Sequence, residues 1–167
     1  MWNRIYLAAL AICAGTMAFF SYYSWGWLKS IGSPPAAVEG YQYHSELSWM
    51  FLWISSTALL IIANFVLGKY RRSWAMWVTF VYFAVFVVIR YVVLEQALFQ
   101  YKKLNGLWEG GFSLAPVAAV IFCAAAAVVV YTNQFVGVRL RERMFPEKIE
   151  PANTDEEVSV VNSSEEA

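Results

Sequence analysis

Four long apolar segments, separated by short polar connections, dominate the chain. They cover residues 5–28, 47–68, 74–94 and 112–137. A bilayer has a hydrocarbon core of about 30 Å, which roughly 20 helical residues cross at a rise of 1.5 Å each. Each segment is therefore long enough to cross a membrane. The pattern predicts an all-α integral membrane bundle of four transmembrane helices within residues 1–145.

The third apolar segment should continue as a helix beyond the membrane. No helix-breaking residue occurs before Asn105-Gly106, so residues 73–104 could form one helix of roughly 45 Å. Apolar side chains recur at helical spacing along the protruding part, which should then pack on the outer connections or on a partner. They are Tyr91, Leu94, Leu98 and Tyr101.

The last part of the chain, residues 146–167, differs sharply from the rest. It is acidic and almost free of large apolar side chains. Such a segment cannot bury enough apolar surface to offset the entropy of ordering it. We therefore expect a disordered cytoplasmic tail after Pro146, which should end the last helix.

Charge predicts the orientation of the bundle, although the formal net charge is zero. Cytoplasmic connections carry an excess of Lys and Arg. One side would hold Arg4, Lys69, Arg71, Arg72, Arg139, Arg141, Arg143 and Lys148, and the other only Lys29, Lys102 and Lys103. We expect a multi-pass protein of the cell membrane with both termini in the cytoplasm. No basic patch outside the membrane is large enough for nucleic acid.

Small and aromatic residues predict how the helices pack. Small residues form a stripe on the first helix (Ala8, Ala11, Gly15, Ala18) and on the fourth (Ala115, Ala119, Cys123, Ala127). Such stripes favour close helix–helix contact in lipid, so we expect both inside the bundle, or one of them against another protein. Seven tryptophans lie near the predicted span ends, as in an interfacial belt. They are Trp25, Trp27, Trp49, Trp53, Trp74, Trp77 and Trp108.

Arg90 is the polar residue that most needs an explanation. Counting from Trp74, it lies about 24 Å into the span and about 6 Å from the outer boundary. Its side chain can snorkel to the surface, form an internal ion pair or line a pathway. Glu46 is the preferred partner, because Glu95 lies five residues on and about 140° around an α-helix. His44, just before the second span, is expected to be solvated in a loop.

Three amides are predicted near the cytoplasmic face: Asn64, Asn133 and Gln134. They lie at comparable depth and could form hydrogen bonds between helices, each contributing about 1 kcal/mol. The single histidine excludes bis-histidine haem ligation within one chain and a histidine-rich metal site. The sequence therefore predicts no cofactor and no metal site. We find no nucleophile–base motif, phosphate loop or family signature.

These observations favour a non-enzymatic accessory or structural subunit of a larger membrane assembly. Its partners would be the lipid bilayer and other membrane proteins, or further copies of itself. One alternative is a small oligomeric transporter or channel that uses Arg90 with Glu46 or Glu95. A second alternative is a membrane subunit that holds a quinone or pigment among aromatic side chains near Phe80, Phe83 and Phe86.

Overall fold

The computed structural model describes residues 2–30, 32–70, 73–108 and 110–144, without the side chains of residues 2, 68–70 and 140–144. In these ranges the chain forms helices and their connections. The predicted acidic tail and the effect of Pro146 lie outside the described residues. The helical elements are α1 (Trp2–Trp27), α2 (Pro34–Tyr70), α3 (Trp74–Val88), a π-helical segment (Ile89–Leu94), α4 (Glu95–Leu104) and α5 (Ala115–Met144).

Four helical stretches are long and apolar enough to cross a membrane, which indicates a multi-pass membrane protein. One of them is continuous from α3 through the π segment into α4, as expected for the third apolar segment. The stretches are Asn3–Trp27, Pro34–Leu67, Trp74–Leu104 and Ala115–Arg139.

The second helix is longer than its apolar run. It begins at Pro34 rather than at residue 47. Proline has no backbone N–H and fits the first turn of a helix, where that donor would have no partner in the helix. The added turns bury Ala37 and Tyr41, each 1% exposed. The polar residues before the apolar run are thus part of α2, so the helix is longer than the run from which it was predicted.

The bundle has two distinct ends. The two-loop end carries the connections 28–33 and 105–114, and the terminal end carries the start of α1, the connection 71–73 and the end of α5. The helices α2 and α3 pack together in the centre, with α1 mainly against α2 and α5 mainly against α3. In the most apolar windows, 39% and 33% of the residues of the two central stretches are buried, against 11% in α1 and in α5. The two flanking helices therefore leave most of their surface free of contacts within the chain.

Hydroxyl groups join the helices inside the bundle. The Tyr6 hydroxyl donates to the Ala75 carbonyl oxygen at 2.7 Å and lies 2.9 Å from Thr79 Oγ1, which links α1 to α3. The Ser55 and Tyr82 hydroxyls lie 2.8 Å apart and link α2 to α3. Buried polar groups need such partners because burying them unpaired is costly.

The two small-residue stripes have different environments. On α5, Ala119 is buried and Cys123 is half-buried, so this stripe lies inside the bundle. On α1, Ala11 and Gly15 are exposed, and a Cβ atom placed on Gly15 would meet nothing within 4 Å. The expected intrabundle contact is therefore absent on α1. That helix buries the side with Met17 instead, which lies about 200° around the helix from Gly15.

A second apolar cluster lies at the two-loop end. Leu28, Tyr41, Leu94 and Leu98 are buried against one another, so the protruding helix packs on the chain's own α1 and α2. Gly40 allows a close approach here, because a Cβ atom at this position would overlap the Trp27 ring. The helices therefore meet with the ring of α1 directly against the backbone of α2.

Candidate functional site

The candidate site surrounds Arg90, on the π segment near the two-loop end. The guanidinium Nη1 donates hydrogen bonds to the carbonyl oxygen and the Oγ of Ser45 on α2. Its central carbon also lies 5.3 Å from the centre of the Trp49 ring and 5.4 Å from that of Tyr91. A cation at such a distance from an aromatic face is stabilised by the ring quadrupole. Arg90 is thus held mainly by α2.

Glu46, the preferred partner from the sequence, is exposed. Neither Glu46 nor Glu95 lies within the 4.0 Å of an ion pair with Arg90; within the described chain the guanidinium bonds to Ser45 instead. The reason is positional: Ser45 precedes Glu46, and neighbouring helical residues point about 100° apart. The structure therefore does not bring Arg90 and Glu46 together.

The π segment changes the relation between Arg90 and Glu95. The backbone N–H of Glu95 points to the carbonyl oxygen of Arg90, five residues earlier. A π turn joins residues five apart, so the α-helical angle used for this pair does not apply here. Glu95 instead lines a groove of about 380 Å³ between α4 and the start of α5, together with Phe99 and Ser113.

Two polar atoms beside this site are buried and have no partner of standard hydrogen-bond geometry. They are the Tyr41 hydroxyl and Arg90 Nε. Tyr41 is 1% exposed; its hydroxyl lies beside the Ser45 side chain, to which it is a weak hydrogen-bond neighbour, and Glu95 and Arg90 are close enough to act on it through their charges. Buried donors without acceptors are uncommon in proteins, and a sequence pattern does not reveal them.

His44 lies in α2 rather than in a loop, and it is half-buried. Its ring stacks on Trp27 at 5.7 Å and meets the rings of Tyr23 and Tyr43 edge-on at 4.8 Å and 5.2 Å. The expectation of a solvated loop histidine is therefore wrong. The reason is the early start of α2, which places His44 against the end of α1.

An aromatic cluster that the sequence reasoning missed adjoins Arg90. Trp49 and Phe122 lie 4.9 Å apart, Trp53 and Phe83 lie 5.2 Å apart, and Tyr91 stacks on Phe122 at 5.6 Å. The cluster joins α2, α3, the π segment and α5. The signal that the sequence offers is the spacing of Trp49 and Trp53, which lie one helical turn apart and also fit an interfacial belt.

The region considered for a flat ligand is small. A cleft between α2, α3 and α5 has a volume of about 120 Å³ and is lined in part by Phe80, Phe83 and Ser56. Ligand pockets typically have roughly 300–1,000 Å³. Phe86, the third aromatic residue considered, is buried and does not line this cleft. The volume of this cleft is therefore below the range typical of ligand pockets.

The three amides at the terminal end fall into two groups. Asn133 Nδ2 donates to Asn64 Oδ1 at 3.2 Å, which links α5 to α2. Gln134 lies on a neighbouring side of α5 and lines a groove between α5 and α3. The structure thus brings Asn64 and Asn133 together and leaves Gln134 apart from them.

Within the described ranges, no three His, Cys, Asp or Glu side chains come together as a metal site. Cys13 and Cys123 are both free thiols. The chemistry that the geometry offers at Arg90 is a cation held by hydrogen bonds and aromatic faces. Comparison with protein-family models, with curated proteins and with solved structures finds no match to this chain.

Proposed function

We propose that this protein is a non-enzymatic subunit of a larger membrane assembly, and that it binds its partner through the exposed stripe of α1. One observation carries the proposal: Ala8, Ala11, Gly15 and Ala18 are all exposed, on the side of α1 opposite its buried side. In lipid, small residues favour helix association because they let two backbones approach closely. The occupant is therefore a transmembrane helix of another protein.

The proposed placement is four spans in the cell membrane, with the terminal end in the cytoplasm. Arg4, Arg139 and the connection around residues 69–72 belong to that end, and Lys29, Lys102 and Lys103 to the other. This distribution follows the positive-inside rule.

The contacts of Arg90 also favour a structural role. Its guanidinium bonds to the Ser45 backbone and lies against two rings, so it joins α2 to the π segment. A group that binds and releases a substrate needs donors free to face the passage. Most of the Arg90 contacts are instead made within the bundle.

A small oligomeric transporter is the second candidate, and one observation favours it. The Tyr41 hydroxyl and Arg90 Nε are buried without a partner of standard geometry, and Glu95 is close enough to Tyr41 to act on it electrostatically, as expected where a polar species passes. This function predicts flux in liposomes holding only the purified chain, with Arg90→Lys abolishing the flux but not the folding. Absence of flux for the ions and solutes assayed would count against it.

Gly15→Leu tests the subunit proposal, and Ala119→Leu is its matched control. Gly15 is surrounded by open space, so its substitution should leave the thermal stability of the isolated chain unchanged and abolish stoichiometric co-purification in mild detergent. Ala119 is 4% exposed, so its substitution overpacks the bundle and should cost roughly 1–3 kcal/mol in the isolated chain. Mass spectrometry of the purified complexes gives the readout. A stoichiometric partner retained by Gly15→Leu, or no partner for the unaltered chain, would overturn the proposal.

A further inference from the structure

A groove separates α3 from α5 at the terminal end of the bundle. The Asn64–Asn133 hydrogen bond joins α5 to α2. Gly137 also faces α2 closely, because a Cβ atom built on it would lie 3.5 Å from Leu67 Cδ2. The adjacent side of α5 is turned towards α3, and an opening lies between the two helices at this end. The opening has a volume of about 510 Å³, within the range typical of ligand sites. Its lining consists of Trp77, Tyr131, Gln134, Phe135, Val138 and Arg139.

The lining has an apolar wall and, at one end, a single positive charge. Trp77, Phe135 and Val138 are 41%, 49% and 41% exposed, so this wall offers apolar surface to a ligand. Arg139 is the single charged residue of the lining, and its guanidinium carbon lies 4.2 Å from the centre of the Phe135 ring. Among the side chains that the structure describes, no carboxylate forms an ion pair with Arg139.

The surrounding sequence adds positive charge at the same end. In the sequence, Arg141, Glu142 and Arg143 follow Arg139, and Lys69, Arg71 and Arg72 lie between the apolar runs of the second and third spans. Basic recesses between membrane helices attract anionic lipid headgroups, and each Lys or Arg near the surface strengthens that attraction. The positive charge at this end and the apolar wall of the groove therefore both suit an anionic lipid.

We infer that this groove binds an anionic phospholipid, with the phosphate at Arg139 and the first part of an acyl chain between Trp77 and Phe135. Gln134, which also lines the groove, supplies hydrogen-bond groups for the glycerol and ester region. The inference rests on the proposed membrane insertion, but not on the proposed partner of α1.

The test counts lipids on the isolated chain by native mass spectrometry. The detergent-purified, delipidated protein receives phosphatidylglycerol or phosphatidylcholine with identical acyl chains. We expect one retained phosphatidylglycerol per chain and weaker retention of phosphatidylcholine. Arg139→Gln should lower retention of phosphatidylglycerol by about fivefold, whereas Lys29→Gln, the same change at the two-loop end, should leave it unchanged.

A second pair of variants tests the shape of the groove. Val138→Trp should fill the groove and abolish retention, whereas Val136→Trp should have no effect, because Val136 is exposed on α5 about 200° around the helix from Val138. Equal retention by the unaltered chain, Arg139→Gln and Val138→Trp would overturn the inference. So would equal retention of the two lipids. The lipid assay needs no protein partner. If the chain retains lipid but no protein co-purifies with it, the subunit proposal is rejected and the lipid site stands.

Discussion

At Arg90, five potential N–H donors meet few acceptors. Nη1 donates to Ser45, the rings of Trp49 and Tyr91 cover part of the guanidinium, and Nε is buried without a partner. The Ser45 carbonyl also lies within a helix, where it can accept a second hydrogen bond because a carbonyl oxygen has two lone pairs. The residue therefore ties the π segment to α2 through the backbone as much as through a side chain.

This geometry predicts which residue is energetically coupled to Arg90. Ser45→Ala removes the Oγ acceptor but keeps the carbonyl, so the free energy of unfolding should fall by about 1 kcal/mol. Arg90→Ala removes every contact and should cost roughly 2–3 kcal/mol, because hydrogen bonds to charged groups are stronger. Denaturation in detergent of the single and double variants gives the coupling energy.

Glu46→Gln is the control for that experiment. Glu46 is exposed and forms no ion pair with Arg90, so its effect should add to that of Arg90→Ala, whereas Ser45→Ala should not be additive. Coupling of Arg90 to Glu46 and additivity with Ser45 would show that the ion pair expected from the sequence forms after all.

At the scale of helices, the apolar runs predict the number of long helices well and their ends poorly. The start of α5, where Ser113 Oγ accepts a hydrogen bond from the Ala115 N–H at 3.3 Å, agrees with the sequence reasoning to within a few residues. The start of α2 at Pro34 does not, because hydrophobicity reports the surroundings of a helix rather than its length. Polar residues such as Glu39 and Gln42 are compatible with a helix in water as well as in a protein.

The orientation of each helix about its axis was harder to predict. On α1, both sides are apolar, so the sequence does not tell which one faces α2. Small residues favoured one side, but the structure buries Tyr6, Met17 and Ser24 on the other. The partner of Arg90 was missed for a related reason, since a backbone carbonyl has no signature in a sequence. These features depend on contacts between helices, which no local pattern reports.

The whole molecule has a central pair of helices and two flanking helices that contribute little to its interior. In a soluble protein, apolar residues as exposed as Ile12, Val120 and Val128 (69%, 69% and 65%) would form large apolar patches that promote aggregation. In a bilayer the same residues are solvated by lipid. The exposed apolar surface of the flanking helices therefore supports placement across a membrane, and the unequal charge of the two ends supports the proposed orientation.

This placement predicts the accessibility of the two ends in whole cells. In a variant that lacks Cys13 and Cys123, a cysteine at Ser73 should resist membrane-impermeant maleimide until the cells are opened. A cysteine at Leu104, which is 86% exposed at the two-loop end, should react at once. Mass shift of the labelled protein on gels gives the readout. Labelling of the Ser73 position in intact cells would reverse the proposed orientation.

The π segment has a consequence for how the chain tolerates the loss of a residue. A turn closed between residues five apart contains one residue more than an α-helical turn, so Ile89–Leu94 carries one residue in excess. Deleting Val93, which is 56% exposed, would convert the segment to an α-helix and leave α3 and α4 in their present orientations. Deleting Val81, which is 55% exposed, would instead turn Tyr82 and the residues that follow it by about 100°. We expect the chain without Val93 to fold with nearly unchanged thermal stability and the chain without Val81 not to fold. The long helix can therefore lose one residue in the π segment but not in α3.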